Sequence, residues 1–122
     1  MGRPDILQLL VDGMRPSDAP VIEACRHVCL AHLYERDRPD IAATHFSIAL
    51  EEMTTYDMVV EAAHAKFGLG RCRLATGAAN AANILDQAAH DLESFGALRS
   101  AANARQFATR TDAIDQQVAG RR

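Results

Sequence analysis

Cys25, Cys29 and His32 stand four and three residues apart in the stretch CRHVCLAHLY, residues 25–34. On a helix that spacing brings all three side chains to one face, as ligands of a zinc ion would require. A closed structural zinc site takes four ligands, and no second Cys or His pair follows at a matching spacing. His27 lies on a different face of the same helix, while His45, His64 and Cys72 would join only if the tertiary fold delivered one of them. Cysteine is also among the residues most often buried, where it packs as a small hydrophobe. The expectation is therefore that Cys25 and Cys29 are reduced and metal-free, and that the chain holds no cofactor.

A second candidate chemistry centres on Cys72, which lies between Arg71 and Arg73. Two neighbouring guanidinium groups lower a thiol pKa and make it nucleophilic. The plainer reading is a buried cysteine at a helix crossing. The sequence has no Gly-x-Ser-x-Gly, no His-Glu-x-x-His and no phosphate loop, so no catalytic residues and no enzyme activity are expected.

The elements that must carry these residues follow from composition and periodicity. A chain of 122 residues is the size of one ordinary domain. Hydrophobic residues make up 48% but aromatic residues only 5%, so the core must be built from Ala, Leu, Ile and Val, a composition that favours closely approaching helices. The net charge of −3 gives no basic footprint for direct nucleic-acid binding. Charge is unevenly placed: residues 1–62 hold 11 acids and 5 bases, residues 63–122 hold 5 acids and 8 bases. The C-terminal half is thus the place to look for an anionic partner. An odd cysteine count, the lack of a signal pattern and the lack of any apolar run near the ~18 residues of a membrane span predict a cytoplasmic protein that makes no membrane contact.

Along the chain, RPDILQLLVDG predicts a short leading helix over 3–13, stopped by Gly13. Ser17 or Asp18 is a cap candidate ahead of Pro20, where a helix over about 19–36 begins. It ends at Arg38, which Pro39 pushes out of the α region. The next helix covers about 40–54, with Thr55 or Asp57 as the following cap, and a third runs over about 57–76 to Gly77. A fourth is closed by Gly96, and residues 98–119 form a fifth, closed by Gly120. Gly68 and Gly70 fall in mid-helix, where each costs roughly 1 kcal/mol against Ala, so close packing is the reason expected for them.

Internal periodicity sharpens the architecture. Leu30-Ala31-x-x-Tyr34 and Leu69-Gly70-x-x-Arg73 are offset by 39 residues, and each sits in the first member of a helix pair. Gly77, Ala82 and Ala89 continue the second unit. These residues resemble the tetratricopeptide repeat, whose pattern runs Leu-Gly/Ala-x-x-Tyr, then Gly, then Ala, an apolar residue and Ala; the GLGRCRLATG wording is similar to repeat regions of large bacterial regulators. The likeness covers residues 19–96, with a period longer than the ~34 residues of that family and Arg73 where Tyr is the rule. It implies an all-α domain over 1–122, made of a first repeat over 19–54, a second over 57–96 and a capping helix over 98–119.

The resemblance also implies a function: a non-enzymatic module that binds a peptide or partner helix in a concave groove. Carrying the repeat register across assigns Cys25, Val28, His32 and Glu35 to the groove in the first unit, His64, Phe67, Arg71 and Leu74 in the second, and Asn103, Gln106 and Arg110 on the last helix. Arg71 and Arg110 would suit carboxylates, so the expected partner is an acidic protein segment. The rival reading is a ligand-sensing or self-association domain of a bacterial transcriptional regulator, and a homodimer is open under both.

Overall fold

A computed structural model describes Gln8 and residues 19–120, with side chains up to Arg110. Five helices follow one another: α1 over Pro20–Tyr34, α2 over Pro39–Thr55, α3 over Val59–Ala75, α4 over Ala81–Ser94 and α5 over Leu98–Gly120. Among the described residues there is no strand, so the chain is all-α. The leading helix expected over 3–13 lies outside the described residues apart from Gln8.

Local chemistry explains most boundaries. Proline opens both α1 and α2, where its fixed φ suits the first turn and its missing N–H leaves no bond unmade. Glu23, Asp40 and Glu61 place negative charge in the first turns of α1, α2 and α3, against the positive end of each helix dipole. Gly77 and Gly96 take the left-handed conformation, φ 74° and 80°, that lets the chain leave α3 and α4. The N–H of Ala78 then donates to the Arg73 carbonyl at 2.8 Å, and that of Ala97 to the Leu92 carbonyl at 2.9 Å.

The caps depart from expectation. Asp57 does not cap α3: it sits at φ 56° after α2, the position held by glycine in the other two turns, and the N–H of Met58 donates to the Met53 carbonyl at 2.8 Å. The residue closes one helix instead of opening the next. Met58 precedes α3 and Ala19 precedes α1, neither with a side-chain cap. Ser17 and Asp18 lie outside the described residues.

Each helix packs on the next in sequence, and α3 also touches α5. Connections of three to five residues between helices packed side by side make neighbours antiparallel. Helix α3 is the hub, because its two sides enter different cores. Ala65, Leu69 and Cys72 join Ala24, Ala31, Ala42, Ala43, Phe46, Ala49 and Met53 from α1 and α2. Ala63 and Phe67 join Leu85, Ala88, Ala89, Leu92 and three alanines of α5.

The two mid-helix glycines sit where these cores press closest. A Cβ on Gly68 would lie 2.4 Å from the Cζ of Phe46, and one on Gly70 would lie 2.6 Å from a Leu85 methyl. In α4 the buried small residues are Ala81, Ala88 and Ala89, whereas Ala82 is only half-buried. The repeat spacing of Ala82 and Ala89 is thus shared with a neighbouring pair, Ala81 and Ala88, that faces the core more fully.

A candidate partner-binding face

Helices α1, α3 and α5 are the first, third and fifth of the antiparallel series, so they run parallel to one another. A continuous line of side chains crosses all three. The imidazole of His32 meets the buried Phe46 ring edge-on at 5.3 Å between centroids. Its Nδ1 lies 3.8 Å from the Glu35 carboxylate. Glu35 receives two hydrogen bonds from Arg71, at 3.0 Å from Nε and 2.8 Å from Nη2. This paired geometry ties the C-terminal end of α1 to α3.

The line continues beyond the ion pair. The Arg71 guanidinium lies over the Phe67 ring, 4.7 Å from its centroid. Phe67 meets Phe107 of α5 at 5.9 Å, with the rings tilted by 67°. The Arg110 guanidinium covers the Phe107 ring at 4.9 Å. Two arginines therefore bracket two aromatic rings, with a carboxylate already seated on the first arginine. Cation–π contact and edge-to-face aromatic pairing both hold such flat groups in fixed orientation.

Of the residues assigned to the groove from sequence, His32, Glu35, Phe67, Arg71 and Arg110 belong to this line. Phe67 is buried, and Arg71 and Glu35 are half-buried. Val28 and Leu74 are half-buried as well, and Val28 packs against the first core. Cys25, His64, Asn103 and Gln106 are exposed and make none of the contacts that join the line. Phe107 and Phe46 were not assigned from sequence. The repeat offset carries Phe67 onto Gln106, one residue short of the ring that occupies the place. The buried alanines 101, 104 and 108, spaced by three and four, mark the inward side of α5 and would have brought Phe107 into view.

The candidate chemistries of Cys and His are altered by packing. Cys72 is fully buried, and burial pushes its thiol up to about 11 despite the opposing pull of Arg71 and Arg73. A thiolate nucleophile is not what this position offers. Burial likewise raises Cys29, with Cys25 beside it adding to the rise. Among the described residues no three His, Cys, Asp or Glu side chains converge as metal ligands would.

The histidines instead pair across α1 and α2. His27 Nδ1 lies 2.9 Å from His45 Nδ1, and the centroids are 5.1 Å apart, so the rings meet nearly end to end. One nitrogen donates and the other accepts, which keeps at least one imidazole neutral. Burial lowers the pKa of both, helped at His27 by Arg26 and at His45 by His27 and Arg26. Tyr34 lies nearly parallel to His45, 6.1 Å between centroids. Lys66, the only lysine in the chain, is held 2.8 Å from Asp91 of α4.

No helix among the described residues is long and apolar enough to cross a membrane. Compared with known proteins, the chain matches no family model, no curated protein and no solved structure.

Proposed function

We propose that this chain is a non-enzymatic protein-interaction module, a small tetratricopeptide-like stack of helix pairs that receives a peptide or partner helix across α1, α3 and α5. The observation that carries this reading is the unbroken line from His32 through Glu35, Arg71, Phe67 and Phe107 to Arg110, which joins three non-consecutive helices along one face. Aromatic and arginine side chains dominate the energetics of protein interfaces, and here they are already held in place.

The division of labour within the line is specific. Arg71 is occupied by Glu35 and organises the face; Arg110 is exposed and bears the guanidinium that meets an incoming carboxylate. The surplus of base over acid in residues 63–122 draws an acidic segment to that end. Exposed charge pairs contribute only about 0 to 1 kcal/mol, so Arg110 tunes orientation while the half-buried Phe107, backed by the buried Phe67, supplies apolar contact.

The test is site-specific photo-crosslinking in cells of the source. A photoreactive residue at Gln106 on α5 should capture an acidic partner, and Arg110→Glu should reduce that capture severalfold. The same residue at Gln87, exposed on α4, should capture little. Equal capture at both positions, or capture at Gln106 indifferent to Arg110→Glu, would sink the reading.

A further inference from the structure

Eight large hydrophobic residues are exposed among the described residues, and seven of them lie at one end of the helix array. Because neighbouring helices are antiparallel, that end gathers the starts of α1, α3 and α5 and the finishes of α2 and α4. Val21 and Ile22 stand at the start of α1. Tyr56, Val59 and Val60 stand in the turn into α3, and Phe95 and Leu98 in the turn into α5. The exception is Ile48, within α2.

The opposite end is different in kind. Its turns, residues 35–38 and 76–80, carry charged, small and polar side chains and no exposed large hydrophobic residue. The apolar end also repeats. Tyr56 and Phe95 are 39 residues apart, as are Val59 and Leu98. Leu98 is 66% exposed, Val59 57% and Tyr56 53%, although a valine and a leucine at a helix start make no demand that polar residues could not meet. Surface apolar residues scattered singly need no explanation, but a cluster confined to one end marks a contact surface.

We propose that this end is the contact surface of a homodimer, in which the turn at 56–61 of one copy packs on the turn at 95–99 of a second copy about a two-fold axis. The charges on the two turns decide for a second copy. Asp57 and Glu61 are exposed beside Tyr56 and Val59, Arg99 is exposed beside Leu98, and none of the three has an ion pair among the described residues. A two-fold axis lays acidic turn on basic turn, and does so twice. A single apolar helix from elsewhere would satisfy the hydrophobic residues and leave those charges unmatched. The dimer surface lies at an end of the array and does not depend on the partner-binding face proposed above.

Sedimentation velocity of the full chain over a range of concentrations tests this. A monomer–dimer equilibrium is expected, and Leu98→Lys should raise its dissociation constant at least ~tenfold. Arg99→Glu and Glu61→Arg should each weaken the dimer severalfold, and the two together should restore it, since the reversed charges meet again. All these positions are exposed, so the helical content and melting temperature of the monomer should not change. A chain that is monomeric at every concentration, or a dimer indifferent to Leu98→Lys and to both charge reversals, overturns the proposal. A monomer whose melting temperature falls on Leu98→Lys would overturn it in favour of the chain's own apolar segment, residues 3–13, as the occupant.

Discussion

Gly68 is the residue at which local preference and packing oppose each other most directly. Alanine there would gain roughly 1 kcal/mol of helix propensity. Its Cβ would also meet the Phe46 ring at 2.4 Å, and Phe46 is too deeply buried to swing aside. Overpacking costs about 1 to 3 kcal/mol, so Gly68→Ala should lower the midpoint of urea unfolding, and Phe46→Leu in the same chain should recover part of the loss. The histidine pair makes a second prediction at this scale. His27 and His45 both titrate below their ordinary value, so the folded chain resists the protons that the unfolded chain accepts. Their contribution is complete above about pH 6.5 and is lost as pH falls through the lowered values. His32, lowered chiefly by burial, acts in the same direction. Around the pair stand Arg26, which opposes protonation, and Glu23 and Glu52, which favour it at His27 without overcoming burial. The melting temperature should drop between pH 7 and pH 5, and a His27→Gln, His45→Gln chain should show a shallower drop. An equally steep drop in that variant would assign the pH dependence elsewhere.

At the scale of elements, helix starts and stops were legible because they depend on residues adjacent in sequence. Pro20, Pro39, Gly77 and Gly96 act through φ and a missing donor, and the five helices follow from them and from the spacing of apolar residues. What sequence alone did not disclose depends on how one helix crosses another. Glu35 and Arg71 are 36 residues apart and meet only because α1 and α3 lie side by side. The repeat register assigns both to the groove but carries no sign of their pairing with each other. Asp57 departs from expectation for a related reason: a short polar residue between two helices suits the end of one as well as the start of the next, and the left-handed turn decides it. The Glu35–Arg71 contact yields a graded prediction. Removing either partner loses the ion pair, which at its half-buried site contributes about 1 kcal/mol. Arg71→Ala also removes the contact over Phe67, worth roughly a further 0.5 to 1 kcal/mol. Arg71→Ala should therefore destabilise more than Glu35→Ala in urea unfolding. The reverse order would mean that an unpaired Arg71 is the larger penalty and that its stacking contributes little.

For the whole molecule, the decisive fact is that two cores share one helix. The first core draws on α1, α2 and one side of α3; the second draws on α4, α5 and the other side of α3. A helix shared by two cores must be apolar on both flanks, and α3 meets this with Ala63, Ala65, Phe67, Gly68, Leu69, Gly70 and Cys72 buried in near succession, while Glu61 and His64 remain exposed. Loss of either core strips one flank of α3, whereas α1 and α5 each border only one. In arrays where each element contacts mainly its neighbours, opening starts at the ends and the shared centre is the last to go. Native-state hydrogen exchange should accordingly find the slowest amides in α3, around residues 67–72, with α2 and α4 intermediate and α1 and α5 faster. Gly68→Ala loosens the first core, so it should accelerate exchange in α1 and α2 more than in α4 and α5. Uniform acceleration across all five helices would instead show that the two cores open as one unit, with α3 coupling them too tightly for either to yield alone.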